Sequence, residues 1–318
     1  MTSLVTVIGT IFVDCKGFAN ENYNALGRNL GSVQFVHGGV GRNVVENLAN
    51  LQLPAAFVST VDDSGLGEEI QKRLTSAGVS TQFLLRTPKE GMGMWLAVLN
   101  EKGDLMGSIS QMPNLTTMQN LVLQRSEEIV KSSSHLVLEV DLNEQISRRL
   151  LEEAKQWNKP VYGIPGNLDV VLKHPDLLQA LECFICNDVE AEKLVSSKLG
   201  SMDIQAKIDA MVKYVDANGL QSMVITLGAE GSIYYDPRTK QSGYQPVFPV
   251  RLVDSSGAGD AYFSGTVMGL VRGLPLSQAV VCGTKVAGWT IESKENNCPD
   301  LREKMQHDEV FQQLLVKG

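Results

Sequence analysis

The sequence predicts an α/β fold: a doubly wound, mostly parallel sheet with helices on both faces. Short runs rich in β-branched residues alternate with longer segments in which apolar residues recur every three to four positions, a pattern typical of strand–helix–strand units. The chain has 318 residues, of which 43% are hydrophobic and 20% are charged. A chain of this length and composition can bury a large core without disulfides or structural metals.

Six short apolar runs predict the buried parallel strands, because strands covered on both faces are hydrophobic almost throughout. These runs are 5–8, 56–60, 136–140, 161–164, 183–186 and 223–227. Amphipathic segments between them, such as 144–157 and 204–215, predict helices. The second of these helices is expected to end at Asn218-Gly219, a pair typical of helix C-termini.

Two regions have strand character but no following helix. Residues 11–37 contain a strand-like start, a polar stretch rich in Asn and Gly, and a second strand at 32–36. Residues 92–110 predict a hairpin, with strands at 94–99 and 104–109 joined by a turn at 100–103. We expect these regions to form a small β lid over one end of the main sheet, within a single domain spanning 1–318.

Charge and cysteine content exclude several classes of protein. Because 28 basic and 36 acidic residues give a net charge of −8, no nucleic acid polymer is expected as a partner. Five cysteines are too few for a disulfide scaffold, and the Cys183/Cys186 pair lacks a second metal-binding pair, so we expect buried strand thiols. Without a signal peptide or about 18 consecutive apolar residues, we expect a cytoplasmic protein with no membrane partner.

The clearest chemical signal is the glycine-rich segment 254–265, DSSGAGDAYFSG, which opens an apolar helical run at 261–271. Gly257, Ala258 and Gly259 stand at the start of that helix, where unpaired N–H groups and the helix dipole favour a phosphoryl group in transfer. Asp260, beside them, can accept a proton from a substrate hydroxyl. An ordinary N-cap aspartate after a flexible turn would explain Gly-Ala-Gly alone, but it does not explain the full spacing.

Residues 254–260 resemble the C-terminal signature of the ribokinase-like (phosphofructokinase-B type) carbohydrate and nucleoside kinases, although Ser255-Ser256 replaces the usual Thr pair. The N-terminal half agrees, because residues 38–43, GGVGRN, are similar to that family's sugar-binding motif and lead into a predicted helix at 44–51. The resemblance extends from about residue 4 to residue 300. It implies a ribokinase-like αβα sandwich with a small β lid, and ATP as the phosphoryl donor.

Several residues are candidates for holding the sugar. Adjacent glycines let the backbone approach a ligand closely, and a carboxamide offers donors and an acceptor to vicinal hydroxyls. In the family an aspartate just after the first strand grips the sugar, although Asp14 could also be a solvated loop carboxylate. Arg42 is left open between ligand binding and simple solvation. The substrate-binding candidates are Asp14, Gly38, Gly39, Asn43 and either Asp141 or Glu139.

The resemblance also implies residues for the phosphates and for metals. Asn187 and Glu190 match the family's N-x-x-E element, which organises Mg²⁺ and phosphate, although the same residues could form a helix capping box. Asp254 and Ser256 mark the place where relatives can bind a monovalent cation such as K⁺. The metal candidates are therefore Glu190, Asp254 and Ser256, with Asn187 assigned to the cofactor.

The remaining nucleotide-side candidates are Thr226, Gly228 and Gly231, which resemble the family's nucleotide-side strand and turn, although both glycines could be ordinary turn residues. The chain departs from the family at one point. Where many relatives have an aspartate after the strand at 161–164, this chain reads Gly163-Ile164-Pro165-Gly166. We therefore expect one acidic group fewer in the cleft, which puts the metal affinity in question.

Within the family, residues 31–49 and the ending NNCPDL at 296–301 are similar to the branch that phosphorylates pseudouridine. The predicted reaction is ATP-dependent phosphorylation of the 5′-hydroxyl of pseudouridine, with a ribose, fructose or other nucleoside kinase as the alternative. A dinucleotide-binding oxidoreductase is not favoured, because no G-x-G-x-x-G follows the first strand. A sensor without catalysis is not favoured, because Asp260 is retained. We expect a small-molecule nucleoside or sugar as substrate, base contacts in the lid and a homodimer formed through the lid. The candidate base contacts are Asn22, Asn24, Met92 and Trp95.

Overall fold

The structure is a computed structural model that describes residues 4–316. Within these residues the strands are β1 Val5–Ile8, β2 Phe12–Ala19, β3 Gly31–Gly38, β4 Ala55–Asp62, β5 Ser80–Thr87, β6 Gly93–Leu99, β7 Leu105–Gln111, β8 His135–Glu139, β9 Val161–Ile164, β10 Cys183–Asn187, β11 Met223–Thr226, β12 Ser232–Asp236 and β13 Gln241–Gln245. The α-helices are α1 Val40–Asn50, α2 Gly65–Ser76, α3 Thr116–Ser132, α4 Glu144–Gln156, α5 Asp169–Lys173, α6 Asp188–Val195, α7 Ile204–Asn218, α8 Ala258–Val271, α9 Leu276–Ile291, α10 Leu301–His307 and α11 Glu309–Val316.

The main sheet has nine strands in the order β13-β12-β11-β10-β9-β8-β1-β4-β5. The strands from β11 to β5 are parallel to their neighbours, and only the edge strands β12 and β13 pair antiparallel. One hydrophobic core contains side chains from α1, α2, α8 and α9, and the other contains side chains from α3, α4 and α7. The predicted doubly wound sheet with helices on both faces is confirmed.

The predicted elements are present, but several begin or end elsewhere. Helix α7 ends at Asn218, as predicted, because Gly219 adopts a φ of 67°, the left-handed conformation that glycine tolerates best. Helix α8 begins at Ala258 rather than at residue 261. Helix α1 begins at Val40 rather than at residue 44, so Asn43 lies in its first turn. The chemically important side chains therefore project from helix starts.

The lid is a separate four-stranded sheet in the order β3-β2-β6-β7, as the two irregular regions predicted. Strand β2 pairs antiparallel with β3 and parallel with β6, and β6 pairs antiparallel with β7. Asn100 closes the hairpin turn, because its side-chain oxygen accepts from the amides of Lys102 and Asp104 at 2.9 and 2.8 Å. The lid leads into helix α1 at Gly39, which has a φ of 95° and lies against the backbone of residues 10–12.

Both thiols of the C-x-x-C pair are buried in β10, and Cys183 and Cys186 belong to cores on opposite faces of the sheet. They cannot ligate one metal ion, because successive strand residues alternate between faces. Among residues 4–316 no helix is both long enough and apolar enough to cross a bilayer.

Candidate active site

A cleft of about 600 Å³ lies between the lid and the carboxyl ends of β1 and β8. This end of a parallel sheet is where α/β proteins commonly bind ligands. The predicted residues that line it are Asp14, Gly38, Gly39, Asn43, Glu139, Asp141, Ser256, Gly257 and Asp260. The two sequence motifs, more than 200 residues apart, therefore meet in one cavity.

The floor of the cleft is the start of α8. Gly257 has a φ of 75°, and a Cβ at this position would lie 2.1 Å from the Asn296 carbonyl oxygen, so only glycine fits. The Ala258 amide donates to the Ser255 carbonyl at 3.2 Å and is therefore already engaged. Among residues 4–316 we find no hydrogen bond from the amides of Gly257, Gly259 or Asp260. These three amides point to an anion site at the positive end of the helix.

The Asp260 carboxylate lies at the edge of this anion site. Its Oδ2 accepts a hydrogen bond of 2.7 Å from the Asn43 side-chain nitrogen. Burial raises the pKa of Asp260 to about 6, and the hydrogen bond from Asn43 and the charge of Arg42 oppose the rise. A carboxylate with this pKa is ionised at neutral pH and basic enough to take a proton in a transition state.

Arg42 is buried, with 1% of its surface exposed, rather than solvated. Its guanidinium donates to Glu46 at 2.8 Å, to the side chain of Asn297 at 2.9 Å and to the carbonyls of His37 and Gly38. Arg42 thus connects the base of the lid with the loop containing Asn297. Glu46 follows Arg42 by four residues, a spacing that predicts an i,i+4 ion pair on one face of a helix.

The lid side of the cleft holds a second carboxylate, Asp14. Burial raises its pKa, while Lys16, Asn296 and Arg42 act in the opposite direction. Asn296, which the sequence analysis did not assign to the site, lines the cleft and donates to the His37 carbonyl at 3.1 Å. The side-chain oxygens of Asn43 and Asn296 are buried without a partner in the described chain, so each can accept a hydrogen bond from a ligand hydroxyl.

Both carboxylates left open at the end of β8 line the cleft, but protein groups already bind them. Glu139 accepts from the Thr10 amide at 2.7 Å and from the Thr10 hydroxyl, and burial raises its pKa to about 7. Asp141 accepts from three backbone amides in the segment 166–171, each at 3.2 Å. A Cβ on Gly166 would lie 2.9 Å from a Glu139 oxygen. Glu139 therefore occupies space that a side chain at position 166 would need.

Within residues 4–316, none of the nucleotide-side candidates is among the residues that line the cleft. Asn187 and Glu190 form the capping box that the sequence analysis allowed, with two reciprocal hydrogen bonds of 2.8 Å. Gly231 has a φ of 100°, and a Cβ there would contact the Gln245 carbonyl, so a turn requires this glycine; Gly228 also has positive φ, at 56°. The Thr226 hydroxyl donates to the Cys186 carbonyl at 3.4 Å.

Of the four candidate base contacts, Met92 is contradicted by its burial, and Trp95 lies beside Asp14 in the lid. Met92 is 5% exposed and packs in the main core, so it is not available to a ligand. Asn24 is exposed and hydrogen bonds to Asn29 within the loop between β2 and β3, and Asn22 is exposed in the same loop. Trp95 pairs with Asp14 in the lid register, which places the two on the same face.

The fold and the cleft together define the class of protein: a phosphotransferase with a hydroxyl acceptor. The model of the pfkB family of carbohydrate kinases matches residues 2–301, and the chain belongs to that family. It is 33% identical over 303 residues to guanosine-inosine kinase of Exiguobacterium acetylicum, covering 95% of this chain and 99% of the relative. It is 27% identical to pseudouridine kinase of Escherichia coli, covering 93% of each. Arabidopsis thaliana ribokinase complexed with ribose and ATP superposes with a TM-score of 0.82 at 19% identity, covering 99% of each chain.

Proposed function

We propose that this sugar or nucleoside kinase transfers the γ-phosphoryl group of ATP to the 5′-hydroxyl of a nucleoside. One observation carries the proposal: the Asn43–Asp260 pair lies beside three amides with no partner among residues 4–316 and in the same cleft as Asp14. A proton acceptor, an anion site and a sugar-binding carboxylate thus face one cavity. ATP is the donor bound in the ribokinase that superposes on this chain.

In this mechanism Asp14 and the free oxygens of Asn43 and Asn296 accept hydrogen bonds from the ribose hydroxyls. The sugar is thereby held with its 5′-oxygen near Asp260. Asp260 takes the hydroxyl proton as the oxygen bonds to the γ-phosphorus, and the bond to the ADP oxygen breaks. The amides of Gly257, Gly259 and Asp260 stabilise the negative charge on the transferring group.

The residues present fit a Mg²⁺ ion held mainly by ATP and water. Residues 4–316 contain no cluster of three acidic, His or Cys side chains able to hold a metal directly. Burial raises the pKa of Glu190, and the nearby charges of Asp141 and Asp260 add to the rise; a cation would relieve their repulsion. Mg²⁺ commonly keeps several waters beside phosphates, so Asn187 and Glu190 would hold it through water. The ion would neutralise charge on the phosphates.

A monovalent cation such as K⁺ is proposed beside Asp254 and Ser256. One oxygen of Asp254 accepts from the Ser256 amide at 2.8 Å, which fixes the turn immediately before Gly257. A cation there would lie near the anion loop. Assays in potassium and tetramethylammonium salts of equal ionic strength test the idea, and equal rates in both would contradict it.

The sequence ending Asn296–Leu301 favours pseudouridine as the nucleoside. Guanosine or inosine is the second candidate, because guanosine-inosine kinase is more similar to this chain than pseudouridine kinase is. The test is a panel of pseudouridine, guanosine, inosine, uridine, ribose and fructose with ATP, with products resolved by chromatography. We expect a nucleoside 5′-monophosphate to form with the highest kcat/KM. If ribose or fructose has the highest kcat/KM, the nucleoside proposal is wrong, although the family assignment stands.

We also propose that two chains pair through the outer face of the lid. This face carries exposed apolar side chains, among them Phe35 at 56% and Ile109 at 69% exposure; its other members are Val33, Met94 and Leu96. Exposed apolar sheets of this kind commonly mark interfaces. Sedimentation of the wild type should show a dimer and that of Phe35→Ser/Ile109→Ser a monomer. A monomeric wild type would refute the proposal.

A further inference from the structure

The inner face of the lid extends beyond Asp14 along β2. Phe12 and Asp14 alternate along this strand and both line the cleft, so the next side chain on the same face is Lys16. Its direct partner on β3 is Gln34, and partners in a sheet point to the same side. Two residues beyond Asp14, this face of the lid therefore presents the Lys16 ammonium group beside the Gln34 carboxamide.

These two groups have no protein partner to satisfy them. Neither the Lys16 ammonium nor the Gln34 carboxamide forms a hydrogen bond or ion pair with any residue in the described span 4–316. Burial raises the pKa of the Asp14 carboxyl, and the charge of Lys16 opposes that rise, so Lys16 lies near Asp14. The neighbouring β6 residue is Ala97, a small side chain that is itself buried.

The spacing matches a nucleoside rather than a bare sugar. Two residues of β-strand advance by about 6.6 Å, so Lys16 and Gln34 stand that far from Asp14 along the lid. A base attached to a ribose held at Asp14 extends over a comparable distance. Trp95, the partner of Asp14 on β6, provides an aromatic surface beside Asp14 on the same face.

We infer that Lys16 and Gln34 select nucleosides whose base presents a ring carbonyl next to a ring N–H. The inference rests on the proposed nucleoside kinase activity. An ammonium group only donates hydrogen bonds, whereas a carboxamide both donates and accepts. Lys16 would donate to the carbonyl oxygen, and the Gln34 oxygen would accept from the adjacent N–H.

Bases with an amino group in place of the carbonyl cannot form these hydrogen bonds with Lys16 and Gln34. In adenosine and cytidine an exocyclic amine replaces the carbonyl, and an unprotonated ring nitrogen replaces the N–H. The amine would then face the Lys16 ammonium, and two donors would be opposed without an acceptor. Sites built around a hydrogen bond reject ligands that leave their polar groups unpaired.

Two matched substrate pairs test this inference. Inosine and adenosine differ only at this edge, and so do uridine and cytidine. We expect kcat/KM to favour the carbonyl member of each pair by roughly tenfold or more. Lys16→Met, which keeps an unbranched side chain but removes the charge, should bring both ratios close to one and leave kcat/KM for ribose within about twofold. Cys15→Ala, on the opposite face of the same strand, is the matched control and should leave both ratios unchanged.

The outcomes separate the inference from the proposed function. If the wild type phosphorylates nucleosides with ratios near one, or if Lys16→Met keeps the wild-type ratios, the inference is wrong and the nucleoside kinase stands. If no nucleoside is phosphorylated while a free sugar is, the proposed function fails and the inference fails with it. Wild-type ratios near one refute the inference even if a variant folds poorly.

Discussion

The pKa of Asp260, raised to about 6 by burial, predicts an acid limb in the pH dependence of nucleoside phosphorylation. The proton acceptor must be ionised, so activity is lost as pH falls through that pKa. Between pH 7 and pH 5 the ionised fraction drops from about nine-tenths to about one-tenth. An aspartate at its ordinary value of 3.8 would lose almost none of its charge over this range. We therefore expect kcat/KM to fall about tenfold.

The structure also predicts how one substitution moves this limb. Asn43 donates to the Asp260 carboxylate at 2.7 Å and opposes the rise of its pKa. A hydrogen bond to a charged group is worth about 1.5–3 kcal/mol, or about 1–2 pH units. Water that reaches the half-buried carboxylate replaces part of the lost hydrogen-bond energy. Asn43→Ala should therefore move the acid limb of the pH profile upward by about one pH unit.

The assay is kcat/KM for the best nucleoside at saturating Mg²⁺ and ATP from pH 5 to 9. The titration of ATP itself is common to all variants, so the shift between variants is diagnostic. Glu139, whose pKa is raised to about 7, is the competing group, and Glu139→Gln is the control that should keep the limb at about pH 6. If Asn43→Ala leaves the limb in place while Glu139→Gln abolishes it, Asp260 is not the titrating base.

Three further predictions concern the elements that build the cleft. Gly257→Ala should destabilise the fold by at least about 1 kcal/mol in thermal denaturation, because Gly257 has a positive φ and lies against the Asn296 carbonyl. The control Gly259→Ala should not lower stability, because nothing lies within 4 Å of the new Cβ. Equal losses of stability in the two variants would contradict this prediction. Asp14→Ala should weaken nucleoside binding by about 1.5–3 kcal/mol in calorimetry. A loss confined to ATP affinity would show that Asp14 does not bind the sugar. Arg42→Ala should cost about 3–5 kcal/mol in urea unfolding because it breaks a buried ion pair, and a loss below 1 kcal/mol (a roughly surface-like value) would mean that the network is unimportant.

The fold could be predicted to a large extent because its pattern is local. Buried parallel strands are short and almost wholly apolar, and Gly219 ends α7 as its sequence position indicates. The bounds were less accurate at the helix starts. Glycine-rich segments have low helix propensity, yet α1 and α8 begin within them because their packing in the core outweighs that preference.

The site could be predicted only where a motif marks it. The glycine-rich signatures identified Asp260 and Asn43, but their 2.7 Å contact joins residues 217 positions apart, and no local pattern encodes such a distance. Asn296 and Arg42 were missed or left open for the same reason: their roles depend on a loop that returns from the C-terminal region. Met92 was misassigned because a sequence position in a lid hairpin does not reveal whether a side chain points into the core.

The most direct test of the account is the transfer reaction itself, measured with the wild type and Asp260→Asn side by side. With ATP, Mg²⁺ and the nucleoside panel, the wild type should form a nucleoside 5′-monophosphate and ADP in equal amounts. The variant should bind ATP and nucleoside nearly as well, by calorimetry, but turn over about 10²–10⁴ times more slowly. A variant that keeps more than about a tenth of wild-type kcat, a loss well below that of a general base, would contradict the role given to Asp260. A wild type that phosphorylates no nucleoside would contradict the proposed function.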